Sequence, residues 1–277
     1  MHIKERIKNI ISILKTKEKI AIYTPIREED LLKGKTALIT GGSGGIGQAI
    51  ADELIRLGCF VVLSGTNEHK LKKICDSKNY CSIDYIVLNV RDISSFPDVI
   101  KKTCNISPNG SIDILINNAG INDTKQFLDV DESTYNSILD VNLKGAFFLS
   151  QSVAKTMISE KTHGHILNIS SASSLRPASQ PYAISKWALT GMTKGLADEL
   201  IRYGIIVNAI APGPTATPML GKHPMEDISH TKCPIGRYAV PQEIAKLAGF
   251  MVSKYGELII GDTIYITGGS GTVSLHR

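Results

Sequence analysis

The sequence predicts an α/β fold: a doubly wound parallel sheet of about seven strands, with helices on both faces, in a single domain. Short apolar segments alternate along the chain with longer segments whose apolar residues recur at helical spacing. Such alternation is typical of strand–helix–strand units, which build parallel sheets. A glycine-rich run at residues 40–47 separates the first strand-like segment from the first helix-like one. The length of 277 residues is ordinary for one α/β domain, and no Pro-, Gly- or Ser-rich linker divides the chain.

The predicted elements follow one another in a regular order from residue 34 onward. The predicted strands are residues 36–40, 59–63, 84–88, 112–116, 165–169, 205–210 and 262–266. The predicted helices are residues 46–57, 68–75, 133–159, 182–203 and 241–252. The strands are short and mostly apolar, as expected where helices bury both faces of a parallel sheet. Right-handed crossovers between such strands give the doubly wound arrangement.

Composition and charge exclude several classes of protein. Hydrophobic residues make up 43% of the chain and charged residues 21%, as in ordinary globular proteins. The five cysteines are scattered without a C-x-x-C pair, so neither a metal site nor a disulfide framework is expected. No apolar run has the length of a membrane span, and no secretory signal is recognisable. We therefore expect a cytoplasmic protein, and one that does not bind nucleic acid, because most of its net charge of +5 lies in the first twenty residues.

Residues 1–33 form a basic N-terminal extension ahead of the predicted domain. Apolar residues recur there at helical spacing, at Ile3, Ile7, Ile10, Ile11 and Leu14, while lysines lie off that stripe. One interpretation is a helix that packs on its own domain or on a partner subunit. The other is peripheral membrane contact, through residues 1–20, by a basic amphipathic helix on an anionic surface. The sequence leaves this choice open.

The glycine-rich run indicates a dinucleotide site. It fits G-x-G-x-x-G at Gly42, Gly44 and Gly47, and T-G-x-x-x-G-x-G at Gly41, Gly45 and Gly47. Glycines allow the backbone to approach a pyrophosphate closely, and the following helix offers free N–H groups to it.

Six further motifs, in order along the chain, accompany the second of these patterns. They are N-N-A-G at 117–120, an Asn at 142, I-S-S at 169–171, Y-x-x-x-K at 182–186, and P-G at 212–213 followed by G-G at 268–269. Together they resemble the short-chain dehydrogenase/reductase family over residues 34–270. The resemblance implies a Rossmann-type catalytic domain at residues 34–277 and an NAD(P)(H)-dependent oxidoreductase that interconverts a carbonyl group and a secondary alcohol. It also implies a homo-oligomer, either a tetramer or a dimer.

The predicted chemistry centres on Tyr182 and Lys186, which lie one turn apart on a predicted helix. A nearby ammonium favours the phenolate, so Tyr182 is suited to exchange a proton with a substrate oxygen as general acid and base. By resemblance Ser171 positions the substrate oxygen, Asn142 holds a water in the proton relay, and Lys186 also binds the nicotinamide ribose. The adjacent Ser170 is an alternative to Ser171.

The resemblance also implies the cofactor-binding residues. They are Gly41, Ser43, Gly45, Ile46, Gly47, Thr66, Asn67, Asn89, Val90, Asn118, Ala119, Gly120, Tyr182, Lys186, Pro212, Gly213 and Thr215. A carboxylate after the second strand would repel a 2′-phosphate, and Gly65 stands where one is expected. We therefore expect NADP(H) to be favoured over NAD(H), although neither Thr66 nor Gly44 is replaced by the basic residue of many NADP-dependent relatives.

The substrate is expected to be a small ketone, sugar or polyol. The alternative is a 3-oxoacyl-carrier-protein reductase, in which we expect arginines where this chain has Thr162 and Tyr203; Lys161 and Arg202 lie one residue earlier. A lid is predicted at residues 214–234, with Met219, Leu220, His223 and Met225 toward the substrate. Arg176 either contacts an anionic group, a carboxylate or a phosphate, or is a surface residue without a specific role. A different class remains as well: a dinucleotide-binding regulator, or a membrane-recruited protein without turnover.

Overall fold

The fold is a seven-stranded, wholly parallel sheet with the strand order β3-β2-β1-β4-β5-β6-β7. A computed structural model describes residues 26–78, 82–123, 125–222 and 227–274. The strands are β1 (Thr36–Thr40), β2 (Phe60–Gly65), β3 (Ile83–Val87), β4 (Ile114–Asn117), β5 (His165–Ile169), β6 (Ile206–Pro212) and β7 (Thr263–Ile266). The order reverses between β1 and β4, where open α/β sheets form their ligand crevice. The predicted doubly wound fold is confirmed.

Seven α-helices lie between the strands in the described part of the chain. They are α1 (Gly45–Arg56), α2 (Glu68–Ser77), α3 (Phe96–Ile106), α4 (Glu132–Leu139), α5 (Ala146–Glu160), α6 (Pro181–Leu200) and α7 (Pro241–Met251). Their starts have local causes. Asn67 and Asp131 cap α2 and α4 by accepting hydrogen bonds from the Lys70 and Thr134 amides at 2.9 and 2.8 Å. A proline begins α6 and another begins α7, at the position where a missing N–H costs nothing.

Two hydrophobic clusters flank the sheet. Alternate residues of β1 point to opposite faces, so Ala37 and Ile39 join one cluster and Leu38 joins the other. The first cluster holds α1, α2 and α7; the second holds α3, α5 and α6. Leu32 is only 3% exposed and belongs to the first cluster, so part of the segment assigned to the N-terminal extension packs with the domain. The amphipathic pattern of residues 1–20 lies outside the described residues.

The structure differs from the sequence prediction at two helices. Helix α3 has no counterpart in the prediction, although Phe96, Val99, Ile100 and Thr103 recur at helical spacing and are buried. The predicted helix at residues 133–159 is interrupted by a π-helical segment, Asp140–Gly145, between α4 and α5. A π segment inserts one residue into a helix and is common at functional sites. The predicted pattern followed only the regular spacing and so passed over it.

Candidate active site

A cleft of about 900 Å³ opens along the carboxyl ends of the strands. Its volume is within the range of small-molecule and cofactor sites. One end is formed by the glycine-rich run and the first turn of α1, and the other by the segment after β6 and the start of α6. The cleft brings together most residues that the sequence predicts for cofactor binding. These are Gly41, Ser43, Gly45, Ile46, Asn118, Ala119, Gly120, Tyr182, Lys186, Pro212, Gly213 and Thr215.

The glycine-rich run is packed so closely that side chains are excluded from it. Gly41 has φ of +62°, and a Cβ there would lie 2.9 Å from the Ala119 Cα. A Cβ on Gly47 would lie 2.5 Å from the Gly41 carbonyl oxygen. The N-cap of α1 is Gly44, which offers no side chain to the first amides of the helix. Those amides have no acceptor within the helix and are therefore available to an anion in the cleft.

A hydrogen-bond network fixes the loop after β4 against this run. The Thr40 Oγ1 accepts hydrogen bonds from the Asn118 and Ala119 amides, both at 3.0 Å. The Asn118 side-chain amide donates to the carbonyl oxygens of Thr40 and Gly41, at 3.0 and 3.1 Å. The N-N-A-G motif therefore serves to hold two walls of the cleft at a fixed separation.

The two adjacent serines after β5 face different surroundings. The Ser170 hydroxyl is buried and lies 3.1 Å from both the Lys186 carbonyl oxygen, to which it donates, and the Thr190 hydroxyl, so it faces helix α6. The Ser171 hydroxyl accepts a hydrogen bond from the Ser173 amide at 3.1 Å and interacts with the Tyr182 phenol. Of the two alternatives that the sequence left open, the geometry favours Ser171 for contact with a substrate.

Tyr182 and Lys186 lie in the first two turns of α6 and face the same cleft. The Lys186 Nζ lies 5.6 Å from the centroid of the Tyr182 ring and donates a hydrogen bond to the Ile169 carbonyl oxygen at 2.7 Å. Burial lowers the pKa of Lys186 to about 8, because a charged ammonium loses its hydration there. Burial raises the pKa of Tyr182, and the interaction with Ser171 partly opposes that shift. At neutral pH Tyr182 is thus a protonated phenol beside a largely cationic lysine.

Asn142 lies in the π segment and connects two parts of the site. Its Oδ1 accepts a hydrogen bond from the Ile121 amide at 2.8 Å. Its Nδ2 donates to the Ile121 carbonyl oxygen at 2.9 Å and to the Ser185 hydroxyl at 3.1 Å. The side chain is 1% exposed. Because both amide hydrogens are used within the protein, Asn142 ties the loop after β4 to helix α6.

Five predicted cofactor residues do not line the cleft. Gly47 lies against the Gly41 carbonyl, and Val90 is buried beside Gly145. The Asn89 side chain accepts a hydrogen bond from the Arg91 amide at 3.1 Å and closes a turn. Asn67 caps α2, and Thr66 precedes it in an exposed position.

The lid side of the cleft is formed by segments on both sides of residues 223–226. Thr215 and Thr217 are buried and line the cleft, and Met219 and Leu220 lie beside them as predicted. His223 and Met225, also predicted to face the substrate, lie outside the described residues. His230 and Tyr238 line the cleft as well, with ring centroids 4.4 Å apart in a stacked arrangement. The sequence did not reveal this pair, because only the fold brings residues of separate turns together.

Other kinds of site were also sought in the described ranges. No cluster of three or more His, Cys, Asp or Glu side chains that could hold a metal ion occurs there. None of the helices described is long and apolar enough to cross a membrane.

Comparison with known proteins finds relatives that match most of the chain and agree with one another in family. A family model described as short chain dehydrogenase matches residues 35–227. The 3-oxoacyl-acyl-carrier-protein reductase FabG of Rickettsia typhi is 37% identical over 242 residues, which cover 85% of this chain and 96% of that protein. The acetoacetyl-CoA reductase of an Acinetobacter species is 33% identical over 244 residues, 85% of this chain and 97% of that protein. A crystal structure of a short chain dehydrogenase from Bacillus anthracis has a TM-score of 0.80 at 31% identity, covering 89% of this chain and 100% of that one.

Proposed function

The chain belongs to the short-chain dehydrogenase/reductase family, and we propose that it reduces the ketone of a 3-oxoacyl thioester with NADPH. Family membership makes the protein an NAD(P)(H)-dependent oxidoreductase that interconverts a carbonyl group and a secondary alcohol. The single observation that carries the reaction is the group of Ser171, Tyr182 and Lys186 in one cleft with the glycine-rich run. The thioester is supported by two relatives, a 3-oxoacyl-carrier-protein reductase and an acetoacetyl-CoA reductase.

The residues of the cleft fit a nicotinamide dinucleotide. Free amides at the start of α1 suit its pyrophosphate. A Cβ on Gly120 would stand 3.4 Å from the Asn142 Oδ1 and 3.7 Å from the Lys186 Nζ, so the glycine keeps the space beside the lysine clear. Lys186 is then placed to bind ribose hydroxyls, and Thr215 to approach the carboxamide. When bound, the nucleotide supplies the hydride.

The side chains at the base of the cleft would divide the remaining work. Ser171 donates a hydrogen bond to the substrate carbonyl oxygen and holds it beside Tyr182. Tyr182 transfers its proton to the oxygen as negative charge develops there. The Lys186 ammonium stabilises the phenolate that is left. Asn142 is a positioning residue, since it fixes the Ile121 loop and Ser185 around this group. Burial raises the pKa of Tyr182, so the phenol holds the proton that reduction of a carbonyl consumes.

Preference for NADP(H) is supported by charge at the adenosine end of the cleft. Residue 65 is a glycine and carries no carboxylate, and Lys70 lines the cleft together with Ser43 and Gly44. Asp52 also lies there, but it is paired with Lys78. Lys70→Gln should weaken NADPH binding about tenfold by fluorescence titration and leave NADH binding unchanged. Lys73→Gln, on the same helix but outside the cleft, is the matched control. An equal loss for both nucleotides would contradict the assignment.

A small ketone, sugar or polyol is the second candidate substrate. It is favoured because the surface where a carrier protein is expected to bind departs from the expected pattern. Thr162 and Tyr203 replace the expected arginines there. A Cβ on Gly204 would lie 2.9 Å from the His163 ring, so the two segments are adjacent. Arg202 lies 3.3 Å from Glu199 and stacks over Tyr203, so its charge is partly neutralised. Lys161 is exposed and keeps its charge, so the surface presents some positive charge to an acidic carrier, but less than two unpaired arginines would.

A substrate panel separates the two candidates. Acetoacetyl-CoA, the acetoacetyl carrier protein, simple ketones and sugars are offered with NADPH, and the corresponding alcohols with NADP⁺. We expect kcat/KM for acetoacetyl-CoA to exceed that for ketones and sugars by about 100-fold or more, as a difference in transition-state binding of about 3 kcal/mol. A ketone, sugar or polyol that equals the thioester would establish the second candidate instead.

We also propose a homo-oligomer built on an apolar groove between α4, α5 and α6. It is lined by Leu139, Leu143, Phe147, Phe148 and Met192, and Phe147 is 39% exposed. Exposed apolar surface of this kind marks interfaces, and a second copy is the commonest partner in soluble oligomers. Sedimentation of Phe147→Glu should show a smaller species than the natural chain; an unchanged mass would remove this face from consideration.

A further inference from the structure

The end of the cleft that faces the substrate has an uneven distribution of charge. Arg176 lines it together with His230, Gln180 and Tyr238. Among the described residues that line the cleft, the only carboxylate is Asp52, which lies at the adenosine end and is paired with Lys78. The substrate end of the described cleft therefore presents positive charge without a compensating acid.

Arg176 differs from Arg237, the arginine that precedes the cleft residue Tyr238 in the chain. Arg237 forms two hydrogen bonds with the Glu243 carboxylate, at 2.9 and 2.8 Å, and so has a structural partner. The Arg176 side chain has no ion pair or hydrogen bond in the part of the chain that the structure describes. Its backbone, by contrast, is fixed, because the Arg176 carbonyl oxygen accepts a hydrogen bond from the Trp187 indole at 2.8 Å. A guanidinium of this kind, held on a rigid base, is suited to a bidentate contact with an anion.

His230 adds a second polar group to the lining of the cleft. Its ring is held by stacking on Tyr238. Its backbone amide donates to the Gly236 carbonyl oxygen at 2.9 Å, which closes the turn that carries it. Within the described residues its ring nitrogens have no hydrogen-bond partner. The ring therefore offers a polar group to the cleft from a position that stacking on Tyr238 holds.

We infer that Arg176, with His230, binds an anionic group of the substrate at the end of the cleft away from the cofactor's adenosine. This inference rests on the proposed assignment of that end of the cleft to the substrate. The ligand chemistry is a phosphate or carboxylate carried at a distance from the reacting carbonyl. Two sources fit: the phosphate of a phosphopantetheine thioester and the carboxylate of an oxo or sugar acid. Arg176 is in this sense a specificity-determining residue, because it touches a part of the substrate that does not react.

Binding of matched pairs to the complex with NADP⁺ tests the inference without requiring turnover. The first pair is 4′-phosphopantetheine and pantetheine; the second is gluconate and glucose. We expect the charged member of at least one pair to bind about tenfold more tightly than the neutral member in calorimetric titration. Arg176→Gln should abolish that difference. Lys194→Gln, which removes a charge from α6 outside the cleft, should preserve it. The pair that shows the difference identifies the source of the anion.

Kinetics supply a second readout. If the phosphate is the ligand, Arg176→Gln should raise KM for acetoacetyl-CoA about tenfold, with kcat changed less than about twofold, because the contact is uniform through the reaction. KM for the uncharged acetoacetyl N-acetylcysteamine thioester should not change. Equal binding of charged and neutral members in both pairs, or a difference that survives in Arg176→Gln, would overturn the inference. Failure of the thioester proposal is a separate result, in which neither thioester is reduced while the binding difference persists.

Discussion

The two edges of the sheet use polar residues in opposite ways. At the amino edge, the Asp113 carboxylate accepts hydrogen bonds from the Lys35 ammonium and the Thr36 backbone amide, both at 2.9 Å. It also accepts one from the Asn109 side-chain amide at 2.7 Å. At the carboxyl edge, within the described residues, the Tyr182 phenol interacts with Ser171, and the Lys186 ammonium donates to the Ile169 carbonyl oxygen at 2.7 Å. The Asp113 carboxylate is thus saturated by the protein, whereas Tyr182 and Lys186 keep bonding capacity for a ligand. The Asn142 side chain, whose amide hydrogens are both used within the protein, resembles Asp113 in this respect and fits a positioning role.

The largest effect that this comparison predicts is on turnover at the carboxyl edge. Tyr182→Phe removes the proposed proton donor without changing the shape of the ring. We expect kcat to fall by about 10²–10⁴-fold, the usual contribution of a positioned acid or base. NADPH affinity and the midpoint of urea unfolding should hardly change.

A pair of serine variants provides the control for that experiment. Ser171→Ala should lower kcat, while Ser170→Ala should act on stability, since its hydroxyl bonds to the Lys186 carbonyl oxygen and the Thr190 hydroxyl of helix α6. If Tyr182→Phe retains most of its activity, the proposed acid is wrong.

The second effect is a dependence of stability on pH that originates in Lys186. Its pKa is about 8 in the folded protein, against an ordinary value of 10.5. Between these values the unfolded chain binds more protons than the folded one, so stability rises as pH rises through the window. The burial cost is therefore fully present below pH 8 and absent above pH 10.5.

Lys186→Met isolates this contribution, because the variant has no group to titrate. In urea unfolding, we expect the free energy of unfolding of the variant to exceed that of the natural chain at about pH 7. This difference should shrink by on the order of 2–3 kcal/mol by about pH 10.5. Parallel stability curves for the two proteins would contradict a perturbed lysine.

The third and smallest effect is on stability at the amino edge. Asp113→Ala leaves the Thr36 backbone amide without its acceptor and removes one of the two acceptors of the Asn109 side-chain amide, so we expect a loss of about 1–2 kcal/mol in the free energy of unfolding. Lys35→Met should cost less, about 1 kcal/mol or below, because Lys35 is 45% exposed. kcat and KM of the folded enzyme should be unchanged in both. A change in KM would show that the two edges are coupled.

The order of the elements and most of the cleft follow from the sequence, because both depend on local patterns. Apolar periodicity predicts the strands, and the spacing of glycines marks the turn into α1. The choice between Ser170 and Ser171 does not follow, since adjacent residues differ only in which side of the chain they face. The stacking of His230 on Tyr238 is equally hidden, because the two residues come from separate turns that only the fold brings together. Lys70 was not predicted as a cofactor residue for a related reason. It lies further along the chain than the positions at which a basic residue is expected from the relatives.

The π segment Asp140–Gly145 sets the angular phase between α4 and α5. A regular α-helix turns by about 100° per residue, so deletion of one residue here would rotate α4 by about that angle relative to α5. Asn142 would then leave the position from which it reaches both Ile121 and Ser185. Val141 of the segment packs against the second hydrophobic cluster, but the buried members of both clusters belong to other elements, so most of the core would remain. The number of residues in this short segment therefore matters separately from their identity. A single-codon deletion here would leave the fold in place while the chemistry is lost.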